Sequence, residues 1–335
     1  MFLRPSLFAL ALSSVALPAL AQEVNVYSHR QPELLQPLVD AYTAETGVKI
    51  NVAFVDKGMA ERLVAEGDRS PADLVLTVDI ARLTQIVEAG VTQPVESDVL
   101  AANIPQALRD SGNQWFGLTA RARIVYASKD RVAEGEVTTY EDLASDKWKG
   151  RICIRSGLND YNVALVSAVI AHHGEEAAKT WLEGVKANLA RKPEGGDRDQ
   201  VKAIAAGQCD IGIGNTYYIG QMMDDPEQRP AAETVRIVFP VFEGDGAHLN
   251  VSGVAMTKAA PNKDEALKFM EWLSSDEAQR IYAETNHEFP VKPGVARSEL
   301  VASWGDFTAD SIPLTRIAEL RPAALKLIEE VNFDG

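Results

Sequence analysis

The sequence predicts an α/β protein of two lobes built on doubly wound sheets. Strand-like and helix-like segments alternate three times between residues 24 and 89, a pattern typical of parallel sheets covered by helices. A second series of strands and helices begins at residue 123. The chain of 335 residues is also too long for one small core, which favours two lobes.

The first 21 residues have the features of a secretory leader. Arg4 supplies the positive start, residues 7–20 are almost entirely apolar, and Ala19-Leu20-Ala21 forms an A-x-A cleavage site. We expect the leader to be removed before Gln22 and the mature protein to reside in the periplasm. An uncleaved membrane anchor is the alternative.

The formal net charge is −15, and loss of Arg4 with the leader makes it more negative by one unit. An acidic surface argues against nucleic acid and anionic membranes as partners. We expect a monomer whose ligand is small.

In the first series, strands are predicted at residues 24–27, 48–55 and 74–76. The intervening helices begin at Pro32, a favoured first helical residue, and at residues 61 and 80. Gly47, Gly67 and Gly90 follow their last turns, as expected for helix ends.

In the second series, strands are predicted at 123–128, 151–155 and 209–213, with helices at 161–171, 175–188 and 201–206. A short helix capped by Thr139, with Asp142 three residues later, is predicted between the first and the second of these strands. Further strands at 235–239 and 251–256 lead to helices at 263–274 and 276–282, which we expect to return to the first lobe. The segment after Gly305 is expected to pack on the second lobe. A chain that crosses between lobes in this way places a cleft between them, where ligand sites are common.

Cys153 and Cys209 are the two cysteines of the chain, and both lie at predicted strands of the second lobe. In an oxidising compartment they can form a disulfide. Two buried free thiols are the alternative, because the distance between their Cα atoms is not readable from the sequence.

Tyr217 and Tyr218 follow a predicted strand and open a helix whose N-cap is expected at Asn215 or Thr216. At a first helical turn, two neighbouring side chains can reach into the same cleft. A phenol titrates near pH 10 and is neutral at pH 7, but a bound metal displaces protons from its ligands. Phenolate is a hard oxygen donor suited to Fe³⁺. Two half-buried aromatic residues on a helix face are the alternative.

With these segments in view, the chain resembles the periplasmic ferric-ion-binding proteins, the receptors of bacterial iron ABC importers. The resemblance covers essentially the whole mature chain, and its most specific element is Asn215-Thr216-Tyr217-Tyr218. Weaker elements occur in the same order: Val26-Tyr27-Ser28, Ser70-Pro71-Ala72-Asp73, Leu76-Thr77, Trp148-Lys149-Gly150, Asn250-Val251-Ser252-Gly253-Val254 and Pro290-Val291.

The resemblance implies a type II periplasmic binding protein, or Venus flytrap, in which β hinge strands join two α/β lobes. The lobes implied are residues 22–122 with 248–300 and residues 123–247 with 301–335. It implies Fe³⁺ as cargo and an inner-membrane iron ABC permease as partner, without enzymatic activity.

The family also implies a ligand set. Tyr217 and Tyr218 match its paired tyrosine ligands, and Tyr161 resembles a third. Arg121 and Arg123 match a basic element near the family's anion site, where carbonate or another small anion would accompany the metal. We expect Asn215 to contribute beside them.

One departure concerns the first lobe. Many members place a His after the first strand, where this chain has Gln31-Pro32, and some place a Glu after the third strand, where it has Val78-Asp79. Gln31 could offer an amide oxygen, His29 could reach the metal, or anion and water could complete the shell. His172, His173, His248 and His287 show no metal-ligand spacing and are expected to be surface or core residues.

Two other functions fit the sequence less well. A receptor for an organic anion or a ferric chelate on the same fold would use the arginines for recognition. An exported hydrolase is the other alternative, but the sequence contains neither G-x-S-x-G nor H-E-x-x-H. A hydrolase with paired carboxylates depends on distances that the sequence does not reveal.

Overall fold

The structure, a computed structural model, describes residues 22–335. The predicted leader, residues 1–21, lies outside the described residues. Within residues 22–335, no helix is both long enough and apolar enough to cross a bilayer.

The described chain contains ten strands. They are β1 Glu23–Ser28, β2 Lys49–Phe54, β3 Leu74–Thr77, β4 Thr92–Gln93, β5 Phe116–Ser128, β6 Ile152–Cys153, β7 Ile211–Asn215, β8 Val235–Val238, β9 Leu249–Thr257 and β10 Phe289–Pro290.

Fourteen α-helices cover the strands. They are α1 Pro32–Thr46, α2 Met59–Glu66, α3 Ile80–Glu88, α4 Asp98–Asn103, α5 Asp160–His173, α6 Glu175–Ala187, α7 Asp197–Ala205, α8 Tyr217–Asp224, α9 Arg229–Ala232, α10 Lys263–Leu273, α11 Asp276–Thr285, α12 Glu299–Ala302, α13 Leu314–Glu319 and α14 Arg321–Glu330. The predicted short helix near Thr139 is a 3₁₀ turn, Glu141–Ala144, and the Thr139 hydroxyl accepts a hydrogen bond from the Asp142 amide as predicted.

The strand order is β2-β1-β3-β9-β5-β7-β6. β1 is parallel to both β2 and β3, and β6 is parallel to β7, so the parallel, doubly wound arrangement predicted from strand–helix alternation is confirmed. We call β1–β3 with α1–α4, α10 and α11 the first lobe, and β6–β8 with α5–α9 and α14 the second lobe.

The antiparallel strands β5 and β9 connect the two lobes. The first part of β5, Phe116 to Ala122, pairs with β9, whereas the part from Arg123 onward pairs with β7 and β8. All 13 residues of β5 are buried, because both of its faces are covered. The β hinge strands implied by the resemblance are therefore present, and β5 begins seven residues before the predicted position.

The chain returns to each lobe as expected. Helix α10 contacts α1 and β1, and α14 contacts α5 and α6. Helix α13 contacts α3 of the first lobe as well as α5 of the second. The residue limits given above for the lobes remain a prediction.

The two cysteines form a disulfide. Cys153 at the end of β6 is bonded to Cys209, which precedes β7, and their Cα atoms are 5.9 Å apart. Of the two alternatives left open by the sequence, the structure has the covalent bond, and it ties together neighbouring parallel strands of the second lobe.

Candidate functional site

A cavity of about 280 Å³ lies between the lobes. The first lobe contributes the loop after β1, with His29 and Gln31, and the start of α3. The second lobe contributes the starts of α5 and α8, which carry Tyr161, Tyr217 and Tyr218. We call this space the tyrosine cavity.

Local backbone geometry directs the three tyrosines into the cavity. Strand β7 ends at Asn215 and α8 begins at Tyr217, so the paired tyrosines occupy a first helical turn. Asn159 caps α5 by accepting a hydrogen bond from the Tyr161 amide at 3.1 Å. As a result, the Tyr217 hydroxyl lies 3.4 Å from the Tyr161 hydroxyl, and the ring centroids of Tyr217 and Tyr218 are 4.2 Å apart.

Thr216 occupies the N-cap position of α8, but its side chain makes no capping hydrogen bond. Asn215, the other candidate for this cap, instead accepts from Arg123. The hydroxyl oxygen of Thr216 is buried without a partner.

The protein environment keeps two of the phenols neutral. Burial raises the pKa of Tyr217 well above its ordinary value, and the neighbouring phenols Tyr161 and Tyr218 raise it further, while Arg121 opposes them. Burial, followed by the proximity of Tyr161, also raises the pKa of Tyr218. Three clustered phenolates repel one another, so a group with several positive charges is needed to ionise them together.

Arg121 lies on the wall of the tyrosine cavity. Its Nη2 is 2.9 Å from the Glu288 carboxylate and also donates to the Ser252 hydroxyl. The Nε and Nη1 atoms are buried without a hydrogen-bond partner, and the guanidinium carbon is 5.7 Å from the Tyr217 ring centroid. Arg121 therefore has two donor atoms that no acceptor among residues 22–335 satisfies.

Arg30 binds the same carboxylate, with Nη1 2.8 Å from Glu288. Burial alone would raise the pKa of Glu288, but Arg30 and Arg121 hold it below its ordinary value. With Glu288 ionised, the two arginines leave one net positive charge beside the tyrosines. The sequence interpretation missed Arg30, although it directly follows His29 in the predicted loop.

Arg123 and Asn215 are not among the described residues that line the tyrosine cavity. Arg123 Nη1 donates to Asp197 at 2.6 Å and to Asn215 at 3.0 Å, and Nη2 donates to Asn162 at 2.6 Å. Both residues are buried behind the wall, where they hold the end of β7 against α5 and α7.

Arg155, which the sequence interpretation also missed, does line the cavity. Its guanidinium carbon is 5.6 Å from the Tyr161 ring centroid, and its Nη1 is 3.2 Å from Asp197. The signal available in the sequence was its position at the end of the predicted strand 151–155.

On the side of the first lobe, His29 is neutral at pH 7. Burial, and then the charge of Arg82, lower the pKa of His29 to about 4, and its Nδ1 is buried without a partner. Gln31 occupies the N-cap position of α1 without a side-chain capping bond. Both side chains line the cavity. Each is neutral and can offer a lone pair to a metal or an N–H group to an anion.

An ion pair joins the lobes beside the cavity. Arg82 Nε of α3 is 2.9 Å from Asp160, the first residue of α5, and Arg321 is 2.8 Å from the other oxygen of Asp160.

The tyrosine cavity is not lined by His172, His173, His248 or His287.

Comparisons with known proteins agree with this geometry. A family model described as bacterial extracellular solute-binding protein matches residues 37–309. Iron uptake protein A1 of Synechocystis sp. is 42% identical over 320 residues, covering 94% of this chain and 89% of that protein. The major ferric iron-binding protein of Neisseria meningitidis is 29% identical over 338 residues, covering 99% and 98%.

Solved structures are similar over the same extent. The apo ferric ion-binding protein A of Pasteurella haemolytica has a TM-score of 0.91 at 52% identity, covering 94% of this chain and 99% of that chain. A Trichodesmium protein solved in complex with iron and citrate has a TM-score of 0.88 at 42% identity, covering 93% and 99%. These similarities confirm the two-lobed α/β fold expected from the sequence.

Proposed function

Because the chain belongs to the bacterial extracellular solute-binding protein family, we propose that it captures Fe³⁺ in the tyrosine cavity and delivers it to an iron ABC permease of the inner membrane. The export leader predicted at residues 1–21 and the names of the iron-binding relatives support a periplasmic carrier. Its role is to bind and release the ion rather than to transform it.

One observation carries this proposal: the Tyr161 and Tyr217 hydroxyls lie 3.4 Å apart, and both residues line one cavity between the lobes together with Tyr218. Three phenolates balance the three charges of a ferric ion, and hard oxygen donors suit a small trivalent cation. The raised pKa of Tyr217 means that the ion itself must displace the proton, which makes binding selective for strongly acidic cations.

We propose that Arg121 holds the accompanying anion. The Nε and Nη1 donors of Arg121, which are unpartnered among the described residues, can each donate to an oxygen of a small oxyanion such as carbonate. The anion would occupy positions on the metal that the three tyrosines leave open, with His29 or Gln31 completing the shell from the first lobe.

Colour tests this proposal. We expect the purified protein, given Fe³⁺ and bicarbonate, to turn red-orange through charge transfer from phenolate to iron. Tyr217→Phe and Tyr218→Phe should each weaken the band sharply, whereas His172→Ala should leave it unchanged, since His172 lies outside the cavity and pairs with Asp310. A colourless protein in the presence of ferric ion would refute the assignment.

A ferric chelate is the second candidate cargo, favoured by the additional guanidinium of Arg155 on the wall. A chelating carboxylate could bridge Arg121 and Arg155, as citrate accompanies iron in the Trichodesmium protein. If Arg155→Gln lowers affinity for ferric citrate more than for ferric ion with bicarbonate, the chelate is the better description of the cargo. Equal losses would favour the bare ion.

A further inference from the structure

A second cavity lies beside the hinge strands and shares no lining residue with the tyrosine cavity. Its volume is about 380 Å³, within the usual range for small-molecule sites. The loop 106–111, the start of β9 and the segment 309–317 form its walls. We call this space the hinge cavity.

Most of the wall is apolar. Trp115 lines the cavity and is 2% exposed. Each of the three segments also contributes apolar side chains to the wall, namely Leu108, Leu249, Ile312, Leu314 and Ile317. An aromatic ring or an aliphatic chain that entered the hinge cavity would remove apolar surface from water on both sides.

The guanidinium group of Arg109, in the wall, has a donor atom without a hydrogen-bond acceptor. Arg109 lines the cavity, and its Nε is buried without a hydrogen-bond acceptor. The Asp310 carboxylate, which also lines the cavity, has partners other than Arg109: its Oδ1 accepts from His172 at 2.9 Å and from the Ile312 amide at 3.2 Å. His248 carries no charge to oppose it, since burial, followed by the charge of Arg123, lowers its pKa to about 3.

A buried donor on a guanidinium costs free energy until an acceptor reaches it. An anionic oxygen is the strongest acceptor for such a group, and the remaining space requires an apolar body. We propose that the hinge cavity binds a small apolar monocarboxylate, with its carboxylate on Arg109 and its hydrocarbon part against Trp115. This site is independent of the ferric-ion site.

Isothermal titration with sodium octanoate tests the proposal, with octanol as the neutral analogue of equal chain length. We expect one octanoate per chain and at least about tenfold weaker binding of octanol, the loss typical of a charged hydrogen bond. Arg109→Gln should weaken octanoate by a similar factor. Ala107→Trp, at an exposed position of the wall, should obstruct the cavity and abolish binding.

Two controls identify the site. Arg280→Gln removes a charge from the exposed face of α11, and Arg155→Gln removes one from the tyrosine cavity, so both should bind octanoate as the wild type does. Absence of binding at millimolar octanoate, equal affinity for octanol, or an unchanged affinity of Arg109→Gln would each overturn the proposal. If Arg155→Gln abolishes binding, the ligand occupies the tyrosine cavity instead, which also overturns it.

Discussion

Tyr218→Phe tests the chemistry of the proposed iron site through the protons that iron displaces. Tyr217 and Tyr218 of the wild type are expected to be neutral at pH 7, since an ordinary phenol titrates near pH 10 and burial raises the pKa of both further. Binding as phenolate then releases one proton from each ligand. The variant should therefore release one proton fewer for each iron bound.

The number of protons released for each iron bound also determines how the affinity for iron depends on pH. For groups whose pKa lies above the working pH, each proton displaced raises the affinity about tenfold per pH unit. Loss of the Tyr218 phenolate should therefore make the rise in affinity about tenfold smaller per pH unit in Tyr218→Phe than in the wild type. Iron is therefore bound more tightly as the pH rises and is released as the pH falls.

The assay adds the same ferric chelate to both proteins in weak buffer and measures the base needed to hold the pH. Protons exchanged by the chelate are then common to both titrations and cancel in the difference per iron bound. Tyr42→Phe is the matched control, because Tyr42 is buried in the first lobe against Phe269 and Trp272, and it should behave as the wild type. Equal proton release from Tyr218→Phe and the wild type, at equal iron loading, would refute a Tyr218 phenolate ligand.

Three further predictions concern the framework of the site. Replacing both Cys153 and Cys209 by Ser opens a covalent link across 56 positions of the chain and should lower the free energy of unfolding by about 4 kcal/mol; an unchanged urea midpoint would contradict this. Arg123→Met removes one of the two arginines paired with Asp197 and the donor to Asn162 and Asn215, and should cost about 3 kcal/mol in urea unfolding, while the absorption maximum of iron-loaded protein stays in place. Gly220→Ala should cost about 1–3 kcal/mol, since its Cβ would lie 2.2 Å from the His287 ring; adding His287→Ala should recover part of the loss, and no recovery would point to another cause.

Local sequence signals predicted the parts of the fold that depend on short-range order. The strand–helix alternation of the first 90 residues reappears as β1–β3 and α1–α3 with shifts of one or two residues at most termini. The paired tyrosines were identified because a strand end, a helix start and two phenols are adjacent in the chain. Tyr161 was identified through the family resemblance, and its position beside Tyr217 depends on α5 packing across the second lobe.

The predicted hinge strand, residues 123–128, is shorter than β5. The residues before it, Gly117, Thr119 and Arg121, alternate with apolar residues at the two-residue period of a strand, and the prediction does not include them. In the structure every residue of β5 is buried, since the arginines find carboxylates on other segments. Burial of charge by a distant partner leaves no local trace in the sequence.

The same cause explains why Arg121 and Arg123, to which the prediction assigns one role, have different partners in the structure. Two residues apart on a strand, they are expected on one face, but β5 changes partner between them: Arg121 lies opposite Asn250 of β9 and Arg123 opposite Asn215 of β7. Asp197, 74 residues away in sequence, forms an ion pair with Arg123. Glu288 forms ion pairs with both Arg121 and Arg30. Arg121, which shares Glu288 with Arg30, is left with Nε and Nη1 unpartnered among the described residues. The availability of Arg121 for an anion therefore follows from the positions of acidic residues on other elements of the fold, and not from its own neighbours in the chain.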